Sequence, residues 1–232
     1  MRSSIVLIIS LTTIVITACK NRKNERNRGL DSGLLYLDYR ITAEEENETV
    51  SCIFKYTYGS RDGRTVLLSE PASVELDGIK VEPDSAGFEG VYYELLRPLA
   101  DFAGTHHIIF TGSDKKQYKE EFEFLPFSLL EELPDKIARQ PFVIKLRNLP
   151  EKTIFMNIVM TDTSYESNDV IDIIPVSNGV VPITQEMLAR LAPGPINLEL
   201  SREEIKPLKE KTRTGGRLVI QYGLKREFEL ID

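Results

Sequence analysis

Residues 50–57 read Val-Ser-Cys-Ile-Phe-Lys-Tyr-Thr, and their alternation decides the class of fold. Val50, Cys52, Phe54 and Tyr56 fall on one side of a period-two pattern and Ser51, Lys55 and Thr57 on the other, with Ile53 as the exception. Successive side chains of a strand point to opposite faces, so this segment is a half-buried strand. Cys52 points with the apolar set and reads as a core thiol.

The same pattern recurs on both sides of it. Within 74–81 (Val-Glu-Leu-Asp-Gly-Ile-Lys-Val) the Asp77-Gly78 pair separates two alternating arms, a strong hairpin signal. In 118–124 (Tyr-Lys-Glu-Glu-Phe-Glu-Phe) Tyr118, Phe122 and Phe124 face inward and Lys119, Glu121 and Glu123 outward. Further strands are expected at 34–41, 65–68, 91–95 and 105–111, a spacing that fits an antiparallel sandwich of immunoglobulin type. Pro126, Pro134 and Pro141 bracket 128–140, where the alternation stops and a short helical turn is expected. Strands resume at 142–146, 154–160, 170–174, 180–183, 196–200 and 217–230, with Thr184 capping a short helix over 185–191 and a longer loop before 217. A faint repeat links 102–124 with 191–230: each half closes with a turn containing Ala and Gly, a strand, a connection and a last strand bearing Tyr, Glu and Phe. The expectation is an all-β chain of two tandem immunoglobulin-like antiparallel β-sandwiches, 34–127 and 142–232, joined by a linker at 128–141. A length of 232 residues, 41% hydrophobic and 28% charged, suits two small domains and excludes a disordered, fibrous or multi-pass membrane chain.

The N-terminus differs from this body. Residues 1–33 carry six basic and two acidic side chains, which leaves 23 and 34 in 34–232, a body of net charge −11. An acidic body argues against nucleic acid as partner, because phosphate binding needs clustered Lys and Arg. Arg2 precedes 5–16 (Ile-Val-Leu-Ile-Ile-Ser-Leu-Thr-Thr-Ile-Val-Ile). Twelve helical residues rise about 18 Å, short of the roughly 30 Å hydrocarbon core, so the stretch reads as a signal-peptide core and not as a span. Residues 20–33 are polar, with too little apolar surface to order themselves, and read as a tether of about 20 Å reach.

Ile16-Thr17-Ala18-Cys19 resembles the bacterial lipobox. The resemblance implies cleavage between Ala18 and Cys19, removal of 1–18, and a lipid on the Cys19 sulfur that attaches the protein to a membrane, with 19–33 as lipidated Cys and tether. Several acyl chains give a stable anchor. Cys52 then has no intramolecular disulfide partner. With Lys20 after the Cys, lipoproteins resembling this one proceed to the outer membrane of a Gram-negative cell, and the absence of an acidic run favours the periplasm-facing leaflet. The whole arrangement, through 102–110 and 118–127, is similar to two-domain lipoproteins of Bacteroidota, which implies a cell-envelope protein with no known activity.

Residues that carry chemistry are sparse. His106 and His107 are adjacent on a strand and point to opposite faces, so they do not share a metal. Asp162, Glu166, Asn168, Asp169 and Asp172 are acidic without calcium-loop spacing, and 59–63 (Gly-Ser-Arg-Asp-Gly) lacks the Lys and helix of a phosphate loop. No G-x-S-x-G elbow is present. Neither catalysis nor a metal or cofactor is expected. Tyr36, Tyr39, Tyr56, Tyr58, Phe88, Tyr92 and Tyr93 concentrate in the first half, and of the adjacent Tyr92 and Tyr93 one faces out. The expected function is a non-catalytic, lipid-anchored envelope module that binds another envelope protein or serves as a structural spacer. The alternative is a glycan-binding lipoprotein that uses Tyr92 and Tyr93.

Overall fold

The computed structural model describes residues 30–86, 90–164 and 169–232. The first half forms β1 (Leu35–Glu44), β2 (Thr49–Tyr58), β3 (Ser73–Leu76), β4 (Ile79–Lys80), β5 (Pro83–Ala86), β6 (Gly90–Pro98), β7 (Gly104–Thr111) and β8 (Gln117–Phe124). The second forms β9 (Ser128–Leu129), β10 (Lys136–Ala138), β11 (Phe142–Arg147), β12 (Ile154–Asp162), β13 (Val170–Val176), β14 (Val180–Ile183), α1 (Gln185–Arg190), β15 (Gly194–Thr212) and β16 (Gly215–Ile231). The all-β class is as the alternation implies, and the sheets pack as sandwiches.

One large sheet, in the order β13-β12-β15-β16-β1-β2-β6-β5, runs through both halves, with β10 also on β16. A four-stranded sheet, β4-β3-β7-β8, covers its first-half end, and a three-stranded sheet, β14-β11-β9, covers the other. Tyr56 of β2 meets Phe110 of β7 at 4.8 Å between ring centroids, and Phe142 of β11 meets Phe228 of β16 at 6.2 Å. A single apolar core extends between the layers from Leu35 to Leu230. Sequence alternation supplies it directly. Leu35, Leu37, Tyr39, Ile41 and Ala43 are buried on β1, and Val50, Cys52, Phe54 and Tyr56 on β2.

The large sheet depends on β16. Its first part lies parallel to β1, from Leu37 opposite Gly216 to Glu44 opposite Gly223, and its end lies parallel to β10, from Lys136 opposite Glu229 to Ala138 opposite Ile231. Its other side pairs antiparallel with β15 over nearly the whole length. Gly216 permits the close approach to β1. A Cβ there would lie 2.8 Å from the Leu37 carbonyl oxygen and 2.6 Å from Leu208 Cδ1. The β15 pairing slips between Pro207 and Thr212, and the slipped segment turns toward β8. There the Lys209 N–H donates to Glu120 Oε2 at 2.6 Å and the Lys119 N–H to Glu210 Oε2 at 2.8 Å, which ties β15 to the edge of the covering sheet.

Several local expectations hold. Asp77 and Gly78 both take positive φ (51° and 78°), as a two-residue hairpin turn requires. Thr184 caps α1 by accepting the Met187 N–H at 3.3 Å, although the helix ends at Arg190. Gly104 and Gly194, matched in the faint repeat, open β7 and β15 with the same φ of 125°. Others are corrected. No longer loop precedes 217, because 201–212 continue as β15 and turn directly into β16. The segment 65–68 contributes one bridge, Thr65 to Thr57, and the Leu68 N–H donates to the Tyr93 hydroxyl in place of a ladder. The segment 128–141 contains β9 and β10 and no helical turn. Its short strands add to β11 and β16, so the alternation there was too brief to read.

Because both halves share β16, urea unfolding followed by far-ultraviolet circular dichroism and by tyrosine fluorescence is expected to give one coincident transition. Gly216→Ala, which forces the new methyl group into β1 and Leu208, is expected to lower stability by about 1–3 kcal/mol in that single transition. Two separated transitions, or an unaffected variant, would contradict the shared strand.

Candidate functional site

The inner face of β15 changes character along its length. Ile196, Leu198 and Leu200 are core residues, and the next three positions on that face are Arg202, Glu204 and Lys206 before apolar Leu208 returns. The change falls where the two covering sheets stop short of one another, so the large sheet is left open to water. A cleft of about 430 Å³ results, bounded by the end of β8, the turn after β11 and the middle of β15 and β16. Phe124, Phe127, Ile220 and Tyr222 are the apolar residues at its base, and Glu123, Asn148 and the β15 charges line its walls.

The base is rigid. Tyr222 packs edge-on against Phe124 at 5.9 Å and Phe127 at 5.1 Å, which joins the end of β8 and the segment after it to β16. Burial, reinforced by the Glu45 carboxylate, pushes its phenol up to about 12. On the wall, Arg202 Nη2 donates to Glu204 Oε2 at 3.0 Å, and Asn148, held at φ 63°, donates to the Pro126 carbonyl at 3.3 Å. Further along β16, Arg226 occupies an inward position between Leu224 and Phe228 with its side chain one-fifth exposed. It donates through Nη1 to Glu45 Oε2 at 2.6 Å and through Nε to Glu132 Oε2 at 2.9 Å. One guanidinium thereby links the turn after β1, the connecting segment and the shared strand. The two carboxylates hold its charge well above the usual arginine range.

The cleft offers a guanidinium, an ammonium, two carboxylates and a carboxamide over an apolar base. That set can hydrogen-bond a polar ligand, and no His or Cys is among its lining residues.

The residues singled out from sequence lie elsewhere. His106 is buried. Its Nδ1 is 2.7 Å from Asp77 Oδ2 and its Nε2 2.7 Å from the Phe102 carbonyl, and its ring stacks on Phe102 at 3.9 Å. It fastens the β3–β4 turn to β7. His107 faces outward beside Glu121 at 3.2 Å, so the two do face opposite sides. Cys52 is fully buried, and burial pushes its thiol up to about 12. Asp162 takes the N–H groups of Ser164 and Ala192, while Glu166 and Asn168 lie outside the described residues. Among the described residues no group of three or more potential ligands is placed to hold a metal. Cys19, Ala18 and Phe88 also lie outside the described residues.

The tyrosine platform does not assemble. Tyr39, Tyr56 and Tyr93 pack edge to face within the core, with centroids 6.3 Å apart for the first pair and 5.7 Å for the second. Tyr93 is the inward member of its pair, and burial pushes its phenol up to about 12 while the hydroxyl accepts from Leu68 N–H at 2.8 Å. Tyr92, opposite Asp84 of β5, is half-buried. Sequence reading missed Arg202, Glu204, Lys206, Asn148 and Tyr222. The available signal was the switch from Ile-Leu-Leu to Arg-Glu-Lys on one face of a single strand.

The chain matches no protein-family model and no curated protein. Among solved structures it is similar to the crystal structure of the two immunoglobulin domains of DIP-gamma, 8% identical over 82% of this chain and 94% of that one, with a TM-score of 0.23. It is also similar to SGBP-B of the Bacteroides ovatus mixed-linkage glucan utilization locus, in complex with a mixed-linkage heptasaccharide, 13% identical with a TM-score of 0.21. That match covers 79% of this chain and 52% of the other, so this chain spans about half the length of that protein. TM-scores of this size are below what a shared topology requires, and the fold class stands on the chain's own strands.

Arg226→Ala leaves two carboxylates unpaired at the junction and is expected to lower stability by about 1–3 kcal/mol. Arg202→Ala removes one bond to a single carboxylate, Glu204, where Arg226 bridges two, and is expected to cost less than about 1 kcal/mol in the same urea titration; equal losses would contradict the difference in pairing. Alkaline titration tests the core phenols. Tyr93 and Tyr222 ionise near 12 when folded and near 10 when unfolded, so the stability they contribute is complete below pH 10 and is lost as pH rises toward 12. Absorbance at 295 nm should show their ionisation arriving together with unfolding; ionisation of every tyrosine near 10 in a still-folded protein would contradict their burial.

Proposed function

We propose that the chain is a lipid-anchored protein of a bacterial cell envelope that binds another envelope protein without catalysing a reaction. The lipobox-like 16–19 segment supports attachment through Cys19, at the periplasm-facing leaflet of an outer membrane, with 19–33 as the tether. The regions 34–127 and 142–232 would be its two modules, joined at 128–141 and held together by the hairpin they share.

The observation that carries the binding role is an exposed apolar face on the outer side of β12 and β13. Phe155 is 65% exposed, Ile171 73% and Ile173 63%. They are neighbours through the register that sets Phe155 opposite Pro175, Asn157 opposite Ile173 and Val159 opposite Ile171. Three large apolar side chains held together in water on a regular sheet mark an interaction surface. The free edge of β13 is poorly suited to accept another strand, since the Ile173 N–H donates to Asp172 Oδ1 at 2.7 Å and Pro175 has no N–H to give. A partner therefore docks on the face. A flat surface of β-branched and aromatic side chains fits an apolar patch on another protein.

A second reading, glycan binding, is favoured by the cleft, where Arg202, Glu204, Lys206 and Asn148 set hydrogen-bonding groups around an aromatic base. Crosslinking and pull-down from cells separates the two. The wild type is expected to recover a specific envelope protein that the Phe155→Ser/Ile171→Ser/Ile173→Ser variant does not, and a Cys19→Ala form is expected to leave the membrane fraction. Identical recovery from wild type and face variant would overturn the protein-binding role, and retention on a polysaccharide array abolished by Arg202→Ala would establish the glycan reading in its place.

A further inference from the structure

The described chain begins at one pole of the first sandwich, and three loops meet there. The Leu30 carbonyl accepts from the Ser113 hydroxyl at 2.8 Å, in the turn between β7 and β8. The Gly33 carbonyl accepts from the Arg213 N–H at 3.1 Å, at the tip between β15 and β16. The Leu34 carbonyl accepts from the Gly59 N–H at 2.8 Å, in the loop after β2. These loops and their flanks carry an unusual charge for this protein. Arg61 and Arg64 lie on the first loop after β2, Lys115, Lys116 and Lys119 on the β7–β8 turn and its flank, and Lys209, Lys211 and Arg213 on the hairpin tip, and all eight are exposed.

Five carboxylates accompany them. Asp31 pairs with Arg213, Asp114 accepts the Lys116 N–H, Glu210 accepts the Lys119 N–H, Glu120 accepts the Lys209 N–H, and Asp62 is exposed. Among the described residues none of the other seven cations has an ion pair. Elsewhere the distribution is reversed, since 34–232 as a whole has net charge −11. The segment that leads into this pole, 1–33, is itself basic and contains the apolar run at 5–16. Seven cations without an ion pair are thus grouped, in a strongly acidic body, at the pole where the basic segment 1–33 leads in.

We infer that this pole is a membrane-facing surface that rests on anionic lipid headgroups. Clusters of Lys and Arg next to a membrane attachment are attracted by the negative surface potential, an attraction that fades within a Debye length and so requires a short approach. The tether allows that approach, and the acidic remainder of the body is repelled. The long hairpin then rises from the surface by its tip, which holds the cleft and the Phe155 face clear of the lipid. This orientation rests on the anchored reading proposed above, whereas the lipid preference of the pole is a property of its own side chains.

Vesicle co-flotation of the full chain tests it. The purified Cys19→Ala protein is mixed with vesicles of phosphatidylcholine alone or with about one-third phosphatidylglycerol. It is compared with the same protein carrying Lys115→Glu, Lys116→Glu, Lys209→Glu and Lys211→Glu, and with a charge-matched control carrying Lys80→Glu, Lys136→Glu, Lys145→Glu and Lys152→Glu. Circular dichroism establishes that all three fold. The pole variant is expected to lose at least about tenfold in binding to the anionic vesicles, with no change on neutral ones, while the control loses much less. Equal losses in pole variant and control, or no loss in either, would overturn the inference. Because all three proteins share the same segment 1–33 and none carries an acyl chain, the difference between them reports the pole and not the anchor. The anchor fails separately if wild type and Cys19→Ala fractionate alike in cells.

Discussion

The parallel pairing of β1 with β16 is the constraint on which the rest of the molecule depends. A strand has only two edges, and β16 gives one to β15 and divides the other between β1 and β10. Through that division a single sheet crosses both halves, and the two covering sheets lie along it at opposite ends. Gly216 is the local condition for this arrangement, since the Leu37 carbonyl and Leu208 occupy the space where a side chain would begin.

The cleft follows from the same constraint. A long sheet covered by two shorter ones has an uncovered strip between them, and buried apolar side chains would be exposed to water there. The chain answers by placing Arg202, Glu204 and Lys206 on the strip, and by closing its margin with Arg226 bridged to Glu45 and Glu132. A partly buried ion pair of this kind gives little net stability over an apolar pair, but its geometry is specific, so it fixes the connecting segment against the shared strand. The site is therefore a product of architecture: its polar groups are where the layers fail to meet.

The sequence expresses the parts of this structure that depend on neighbouring residues. Alternation over 50–57 and 118–124, the Asp77-Gly78 turn and the Thr184 cap are local, and each appears in the expected place. The partner of β1 does not appear in the pattern, because alternation states which face a side chain takes and not which strand lies beside it. β9 and β10 are two and three residues long, too short for any period to be read. The adjacent Tyr92 and Tyr93 required one to face inward, yet which one follows only from the register with β5 and β2. The polar run on β15 was visible, but its meaning depended on where the covering sheets end.

The order in which the strands are made differs from the order in which they lie. β1 is the first strand of the described body to leave the ribosome, and β16, which lies against it, is the last. Until β16 is available, β1 has its outer edge bare, and the core residues of β15 have no complete sheet to join. The chain is thus finished all at once and not module by module, with a high contact order that makes folding slow. The bare strand edge must be kept from other chains until β16 closes it.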